Sequence, residues 1–245
     1  MNTTWQRPDV ALNFLDERRR NLPYGEDQLQ LLLRVVEHFR SPSPFQGEGR
    51  GEVPLRIVDL GCGDGVVART LLAAYPTASA VLIDHSLPML DRAVTAMAGH
   101  AGVDIVHHDL ADDIRDVPGV RGVDVIASAY AIHHLPSERK QALYAEIFEA
   151  LAPGGVFVNV EHVASGSPAT EALWDTVCIE NLVAGTSRNV DEIAAEYHNR
   201  PDKADNILES VDAQTAWLRD IGFVDVDCYF KFLELAVFGG VKPSQ

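Results

Sequence analysis

Between residues 53 and 161, short apolar runs alternate with stretches of helical periodicity, and this alternation constrains the fold more than any other feature of the chain. The run "LRIVDL" (55–60) reads as a strand buried on both faces, and "VVARTLLAAY" (66–75) as the helix behind it. "SAVLID" (79–84) is a second strand and "LPMLDRAVTAMA" (87–98) a second helix, with Ser86 as its N-cap and Pro88 in its first turn. "VDIVHH" (103–108) and "VDVIASA" (123–129) are further strands. "SERKQALYAEIFEAL" (137–151) is an amphipathic helix with an inner stripe of Leu143, Ile147, Phe148 and Leu151, ended by "PGG". "VFVNVE" (156–161) is a fifth strand. Strands separated by helices run parallel, and a parallel sheet must be covered on both faces.

Outside this block the rhythm changes. A helix is expected over about 26–40, at the end of an N-terminal segment 1–40 that also carries Trp5, Phe14 and Tyr24. "SPSPFQGEGRGE" (41–52) is rich in Pro, Gly and Ser, lacks apolar periodicity and reads as a flexible surface insertion. Residues 162–221 form a helical insert, with helical patterning from 167 onward. "VDVDCYFKF" (224–232) and "LELAVFGGV" (233–241) then follow each other with no helix between them, which requires an antiparallel hairpin within 222–241. The sheet is therefore expected to be parallel except for one strand near its end. All of this fits one α/β domain over 1–245.

Charge and cysteine usage narrow the partners. A formal net charge of −16 repels polyanions, so nucleic acid is a poor candidate ligand. The one basic cluster, "ERRR" (17–20), reads as a solvated helix face. Cys62, Cys178 and Cys228 lie far apart, with no spacing suited to zinc or to a disulfide framework, so no metal is expected and a reducing, cytoplasmic compartment is. The first twenty residues lack the apolar stretch of a signal peptide, and no run approaches a membrane span. Nothing in the sequence fixes an oligomeric state.

The stretch "DLGCGDG" (59–65) joins the first strand to the first helix. Its G-x-G-x-G spacing puts Val66 where a dinucleotide loop carries a third glycine. Asp59 and Asp64 flank it and would repel a pyrophosphate. They suit a ligand with positive charge and no phosphate, and S-adenosylmethionine is one: a sulfonium, an ammonium and one carboxylate on an adenosine. Asp84 ends the second strand, where a carboxylate accepts hydrogen bonds from both ribose hydroxyls. Asp109, after the third strand, is placed to accept from an adenine amine, with Leu110 against the ring; a helix cap is the alternative for Asp109.

These elements, together with "LIDHS" (82–86), "HHDLAD" (107–112), "DVIASAYAIHHL" (124–135), "LAPGGVFVNVE" (151–161) and the terminal hairpin, resemble the class I S-adenosylmethionine-dependent methyltransferases. The resemblance covers roughly residues 53–161 and 211–241. It implies a Rossmann-like, doubly wound, mostly parallel seven-stranded sheet with a C-terminal antiparallel hairpin. By position it implies that Asp59, Gly61, Cys62, Gly63 and Gly65 line the methionine part of the cofactor and Asp84 holds the ribose. His85 or Ser86 would lie near the adenine, Asp109 and Leu110 would touch the base, and Ser128 would meet the methionine end. For Ser128 a buried hydroxyl satisfied by the backbone is the alternative.

Methyl transfer needs the acceptor held in line in a dry site, and a base only if the acceptor arrives protonated. The candidates after the fourth strand are His133 and His134, of which one is expected to face the cleft, since adjacent residues of regular structure point apart. Tyr130 either bounds the methyl group or packs in the core. The N-terminal segment is expected to form a lid, and the insert, with Trp174, Tyr197, His198, Arg200 and Trp217, a second wall. Arg200 pairs either with an acidic substrate or with a neighbouring carboxylate, and Trp217 is expected beneath the hairpin. The expected activity is methylation of a small molecule. One alternative is an enzyme that uses the cofactor without methylating, since the terminal region is also similar to the carboxy-S-adenosylmethionine synthases of tRNA wobble-uridine modification. The other is a cofactor-binding protein without turnover.

Overall fold

The computed structural model describes residues 4–15, 22–40, 54–184 and 186–244. The segment 41–52 and the arginine run 17–20 lie outside the described residues. Seven strands form one sheet: β1 (Arg56–Leu60), β2 (Ser79–Asp84), β3 (Val103–His107), β4 (Val123–Ala129), β5 (Leu151–His162), β6 (Val224–Phe232) and β7 (Leu235–Val241). Their order is β3-β2-β1-β4-β5-β7-β6, and β7 runs antiparallel to both of its neighbours while the first five strands are parallel. This is the expected α/β, doubly wound, Rossmann-like sheet with one reversed strand.

Eight α-helices flank it among the described residues: α1 (Pro8–Asn13), α2 (Gly25–Arg40), α3 (Val66–Ala74), α4 (Leu87–Ala96), α5 (Ser137–Ala150), α6 (Pro168–Val183), α7 (Val190–Asn199) and α8 (Val211–Ile221). Alternation along the strands divides the core. Val58, Ile126 and Phe157 pack with Leu143 of α5 and Leu218 of α8 on one face. Ile57, Val125, Val156 and Val158 pack with Leu32 of α2, Leu71 of α3 and Ala93 of α4 on the other. Each fully shielded leucine among these stabilises the fold by about 1.5–3 kcal/mol. Trp217 is partly buried against the α5–α8 side, as the sequence suggested.

Two boundaries differ from expectation for identifiable reasons. Helix α5 stops at Ala150, and Leu151 is already extended (φ −66°, ψ 142°). Pro153 disfavours helical geometry at Ala152, so "APGG" lies within β5 as an irregular stretch of strand and does not terminate the helix. The ladder accommodates it by a register shift, from Val123–Leu151 to Val125–Val156. At the hairpin, Leu233 has φ +51°, so Leu233 and Glu234 form the turn and β7 starts at Leu235. Among the described residues no helix is long and apolar enough to cross a membrane.

Candidate active site

The carboxyl ends of β1 to β5 open onto two adjoining cavities. The first is built around the loop after β1. Gly61 has φ +64°, and a Cβ there would lie 2.1 Å from the Cβ of Ala131, so only glycine lets the loop close on the β4 side. The amide of Gly63 donates to Asp84 Oδ2 at 2.8 Å, and the amide of Ser86 donates to Asp84 Oδ1 at 2.7 Å. Asp84 thus fixes the loop and the start of α4 together, and each oxygen keeps a lone pair for a ligand. Burial raises its carboxyl above the usual range.

Gly61, Cys62, Gly63, Asp64, Asp84, His85, Ser86, Asp109 and Leu110 all line this cavity, with Trp5, Phe14, Tyr130 and His134 opposite. Its empty space is about 1290 Å³ including the mouth, enough for a nucleoside-sized ligand. Three carboxylates face it and, among the described residues, no Lys or Arg does. That set of acceptors fits a ligand with an ammonium, a sulfonium and ribose hydroxyls, and its negative charge would repel a pyrophosphate.

Three residues named from the sequence stand behind the wall. Asp59 is fully buried: Oδ2 accepts from the Ala68 amide at 3.0 Å and Oδ1 has no partner, while burial pushes the carboxyl up to about 7. Gly65, φ +78°, is the left-handed residue before α3, and a Cβ there would come within 2.7 Å of Met97 Cε. Ser128 Oγ donates to the Leu60 carbonyl at 2.8 Å, the alternative foreseen for it. A strand end alternates its side chains, so Asp59 and Ser128 support the loop from below. Asp109 caps locally, accepting from the Ala111 amide at 2.9 Å, while still lining the cavity. The Ser86 hydroxyl is engaged twice, donating to the Trp5 carbonyl at 2.5 Å and accepting from the Met89 amide at 3.4 Å.

The second cavity is lined by Trp174, Cys178, Leu182 and Tyr197 from the insert, by Leu22 and Pro23 from the N-terminal segment, and by His133, His134 and His162. Trp5, Phe14, Tyr130 and His134 line both cavities and form the seam between them. Trp5, Phe14, Leu22 and Pro23 of the N-terminal segment thus line these cavities, whereas Tyr24 is half-exposed and packs on Phe230 and Phe232. Contrary to the one-of-two expectation, both His133 and His134 reach this cavity. They sit in a 3₁₀ turn, Ile132–His134, whose tighter winding places the two rings 4.0 Å apart. Only His134 also reaches the first cavity.

His133 Nδ1 lies 2.7 Å from Glu161 Oε1, and His162 Nε2 lies 2.7 Å from Glu234 Oε2. Burial keeps His133 far below, and His134 down at about 3, against a usual value near 6.5, so both rings are neutral at rest. Burial pushes Glu161 up to about 7. Lys140, fully buried, donates to the carbonyls of Leu135 and Ile207, the latter at 2.5 Å, pinning the histidine turn to the insert. Tyr130 has φ +55°, and its hydroxyl donates to Gln28 Oε1 at 2.7 Å. Arg200 pairs with Asp202 at 3.4 Å and stacks over Tyr197, the neighbouring-carboxylate alternative; His198 is exposed and lies 3.7 Å from Asp175. Glu161, His162, Glu234 and Gln28 escaped the sequence reading. The available signal was an acid closing the apolar run "VFVNVE".

Residues 57–155 match the family described as a methyltransferase domain. Over that stretch, with its sheet order and glycine loop, the chain is similar to the class I S-adenosylmethionine-dependent methyltransferases. Among curated relatives, the carboxy-S-adenosyl-L-methionine synthase of Aeromonas hydrophila subsp. hydrophila is 24% identical over 198 residues, 78% of this chain and 75% of that protein. Among solved structures, the S-adenosylmethionine-dependent methyltransferase SibL in its apo form aligns with a TM-score of 0.55 at 22% identity. PigF with SAH aligns at 0.51 and 19%. Each alignment covers 87% of this chain, but only 55% of SibL and 65% of PigF. These structural likenesses concern the fold.

Proposed function

We propose that the protein transfers a methyl group from S-adenosylmethionine to a small-molecule acceptor held in the second cavity. The observation that carries this reading is the seam: two cavities, one suited to the cofactor, share Trp5, Phe14, Tyr130 and His134. In the first cavity Asp84 holds the ribose hydroxyls, Asp109 and Leu110 take the adenine beside His85, and Gly61 to Asp64 face the methionine end. Asp59, Gly65, Ser86 and Ser128 hold those residues in place. When bound, the cofactor supplies an electrophilic methyl group on a good leaving group. The residues of the chain align the acceptor, exclude water and receive its proton.

His133 is the proton acceptor. Its Nδ1 faces the Glu161 carboxylate, so Nε2 presents a lone pair, and an ionised Glu161 stabilises the imidazolium formed when that lone pair takes a proton. His134 has only the Asp205 carbonyl at 3.3 Å on its Nδ1, so it orients the acceptor without sharing charge. The curated relatives support a second reading, in which the cofactor itself is carboxylated. Incubation of the protein with methyl-labelled cofactor and a metabolite extract separates the two. Label in a small extractable product, with demethylated cofactor, is the expected result. Recovery of a heavier, carboxylated cofactor would establish the alternative, and bound cofactor with no transfer would overturn both.

A further inference from the structure

Glu161 is fully buried, and its two oxygens keep different company. Oε1 takes His133 Nδ1 at 2.7 Å and the His162 amide at 2.9 Å. Oε2 is turned toward Asn159, whose Nδ2 lies 3.2 Å away. Asn159 is fully buried too and stands two residues earlier in β5, so the pleat brings both side chains out on one face. The amide nitrogen is the atom that meets Oε2, because two bare oxygens there would repel. Among the described residues no further side chain donates to this carboxyl. The titratable groups around it are Tyr130 and His134 after β4, Lys140 and Tyr144 of α5, and His162 beside it. Each is engaged elsewhere. The Tyr130 hydroxyl donates to Gln28 and the Tyr144 hydroxyl to Gln214. The Lys140 ammonium is spent on backbone carbonyls, His134 Nδ1 faces the Asp205 carbonyl, and His162 Nε2 meets Glu234.

These donors fix where a proton can sit. A carboxamide N–H and a backbone N–H only donate, so neither the Asn159 nitrogen nor the His162 amide can take a proton from Glu161. Of the three groups bonded to a protonated Glu161, only His133 Nδ1 can accept. The ring would then carry its own hydrogen on Nε2, with no lone pair left there. With Glu161 ionised, Nδ1 carries the hydrogen and Nε2 is bare. Burial pushes Glu161 up to about 7, against the pull of the His162 amide and of Asn159, which favour the charged form. We propose that Asn159 is a positioning residue: by donating to Oε2 it holds Glu161 so that Oε1 keeps the Nδ1 hydrogen of His133 and Nε2 meets the acceptor bare. This rests on the reading of His133 as the proton acceptor, and it names the residue that sets the tautomer of that ring.

The test reads the ring nitrogens of His133 by nitrogen-15 NMR of the full chain saturated with S-adenosylhomocysteine, with His133→Gln assigning the signals. In the wild type, Nε2 is expected to be bare in mild alkali and to gain a hydrogen as pH falls through about 7. The side-chain amide protons of Asn159 are expected to shift with the same midpoint. Asn159→Leu keeps the bulk of the side chain and removes the donor. Its midpoint is expected to rise by about one pH unit, roughly tenfold in proton affinity, with retained binding of S-adenosylhomocysteine showing that it is folded. Two wild-type results would overturn the proposal without any variant: an Nε2 that is protonated in mild alkali, or Asn159 amide protons that ignore the titration. An unmoved midpoint in the folded variant would overturn it as well. Failure of the methyltransferase reading is distinguishable, because it appears as absent label transfer in the wild type while the tautomer and its midpoint stand.

Discussion

The two cavities are built by different means. The first is made of backbone: glycines in left-handed geometry, strand-end amides and a carboxylate, Asp84, that ties two loops. The second is made of side-chain pairs whose members lie far apart in the chain. His133 meets Glu161, Tyr130 meets Gln28 and His162 meets Glu234, at separations of 28, 102 and 72 residues. A site assembled from backbone binds one constant ligand in one pose. A site assembled from distant pairs exchanges its chemistry by substitution, and each exchange leaves a buried partner behind.

The largest break in the comparison is expected from Glu161→Gln. The amide cannot stabilise an imidazolium on His133, so turnover is expected to fall by about 10²–10⁴-fold while calorimetry shows unchanged cofactor affinity. Wild-type turnover is expected to rise with pH through about 7 as Glu161 ionises, and the variant to lack that rise. Equal turnover in both proteins would remove the dyad from the mechanism.

Asp84→Asn tests the backbone-built half. Charge-assisted bonds at roughly 1.5–3 kcal/mol each are weakened both to the ribose and to the Gly63 and Ser86 amides. Cofactor affinity is expected to drop by about 10²-fold, measured by calorimetry, and an unchanged dissociation constant would place the ribose elsewhere.

His134 connects the halves and reports through pH. Its folded pKa of about 3 lies below the ordinary value, so below about 6.5 the unfolded chain takes up a proton that the fold refuses. That term is fully favourable to folding above 6.5 and is lost as pH falls toward 3. Asp59 and Glu161, both pushed up to about 7, act in the opposite sense, losing stability as pH rises from about 4 to 7. The trends offset in the wild type, so the variant isolates one of them. Between pH 6.5 and 5, His134→Gln is expected to lose about 2 kcal/mol less than the wild type in denaturant titrations. Identical losses would show that His134 is not held neutral.

The smallest effect is expected from Tyr130→Phe, which removes one buried hydrogen bond and leaves Gln28 Oε1 without a donor. A loss of about 1–2 kcal/mol in unfolding free energy follows. No change in midpoint would mean that the Gln28 contact does not hold the N-terminal segment to the sheet.

How far the sequence disclosed the molecule follows the same division. The glycine loop, Asp84 and the strand ends were legible because they are local: a spacing, a strand end and a periodicity. Asp59, Gly65 and Ser128 were expected to line the cofactor site but stand behind its wall; the Asp59 and Ser128 side chains turn beneath the loop, a matter of which way one strand residue points. The helical insert was legible as helices. Its docking was not, since Trp174 and Tyr197 look like any core aromatics until β7 is beside them. Glu161 was visible only as an acid at the end of an apolar run. Its partner became evident once β4 and β5 were seen to end side by side.

The position of β7 has a consequence for the order in which the molecule is assembled. Every residue lining the first cavity has been synthesised by Pro136. The last strand of the described chain, however, is not laid at the margin of the sheet but slots between β5 and β6. Until it does, the β5 edge from Val156 to His162 has unpaired backbone groups, and β6 has no neighbour to hold it. A growing chain emerging from the ribosome thus carries the parts of a cofactor cleft long before its second cavity has a floor, and Leu235 sets that floor as β7 enters the gap, with Glu234 reaching His162 beside it.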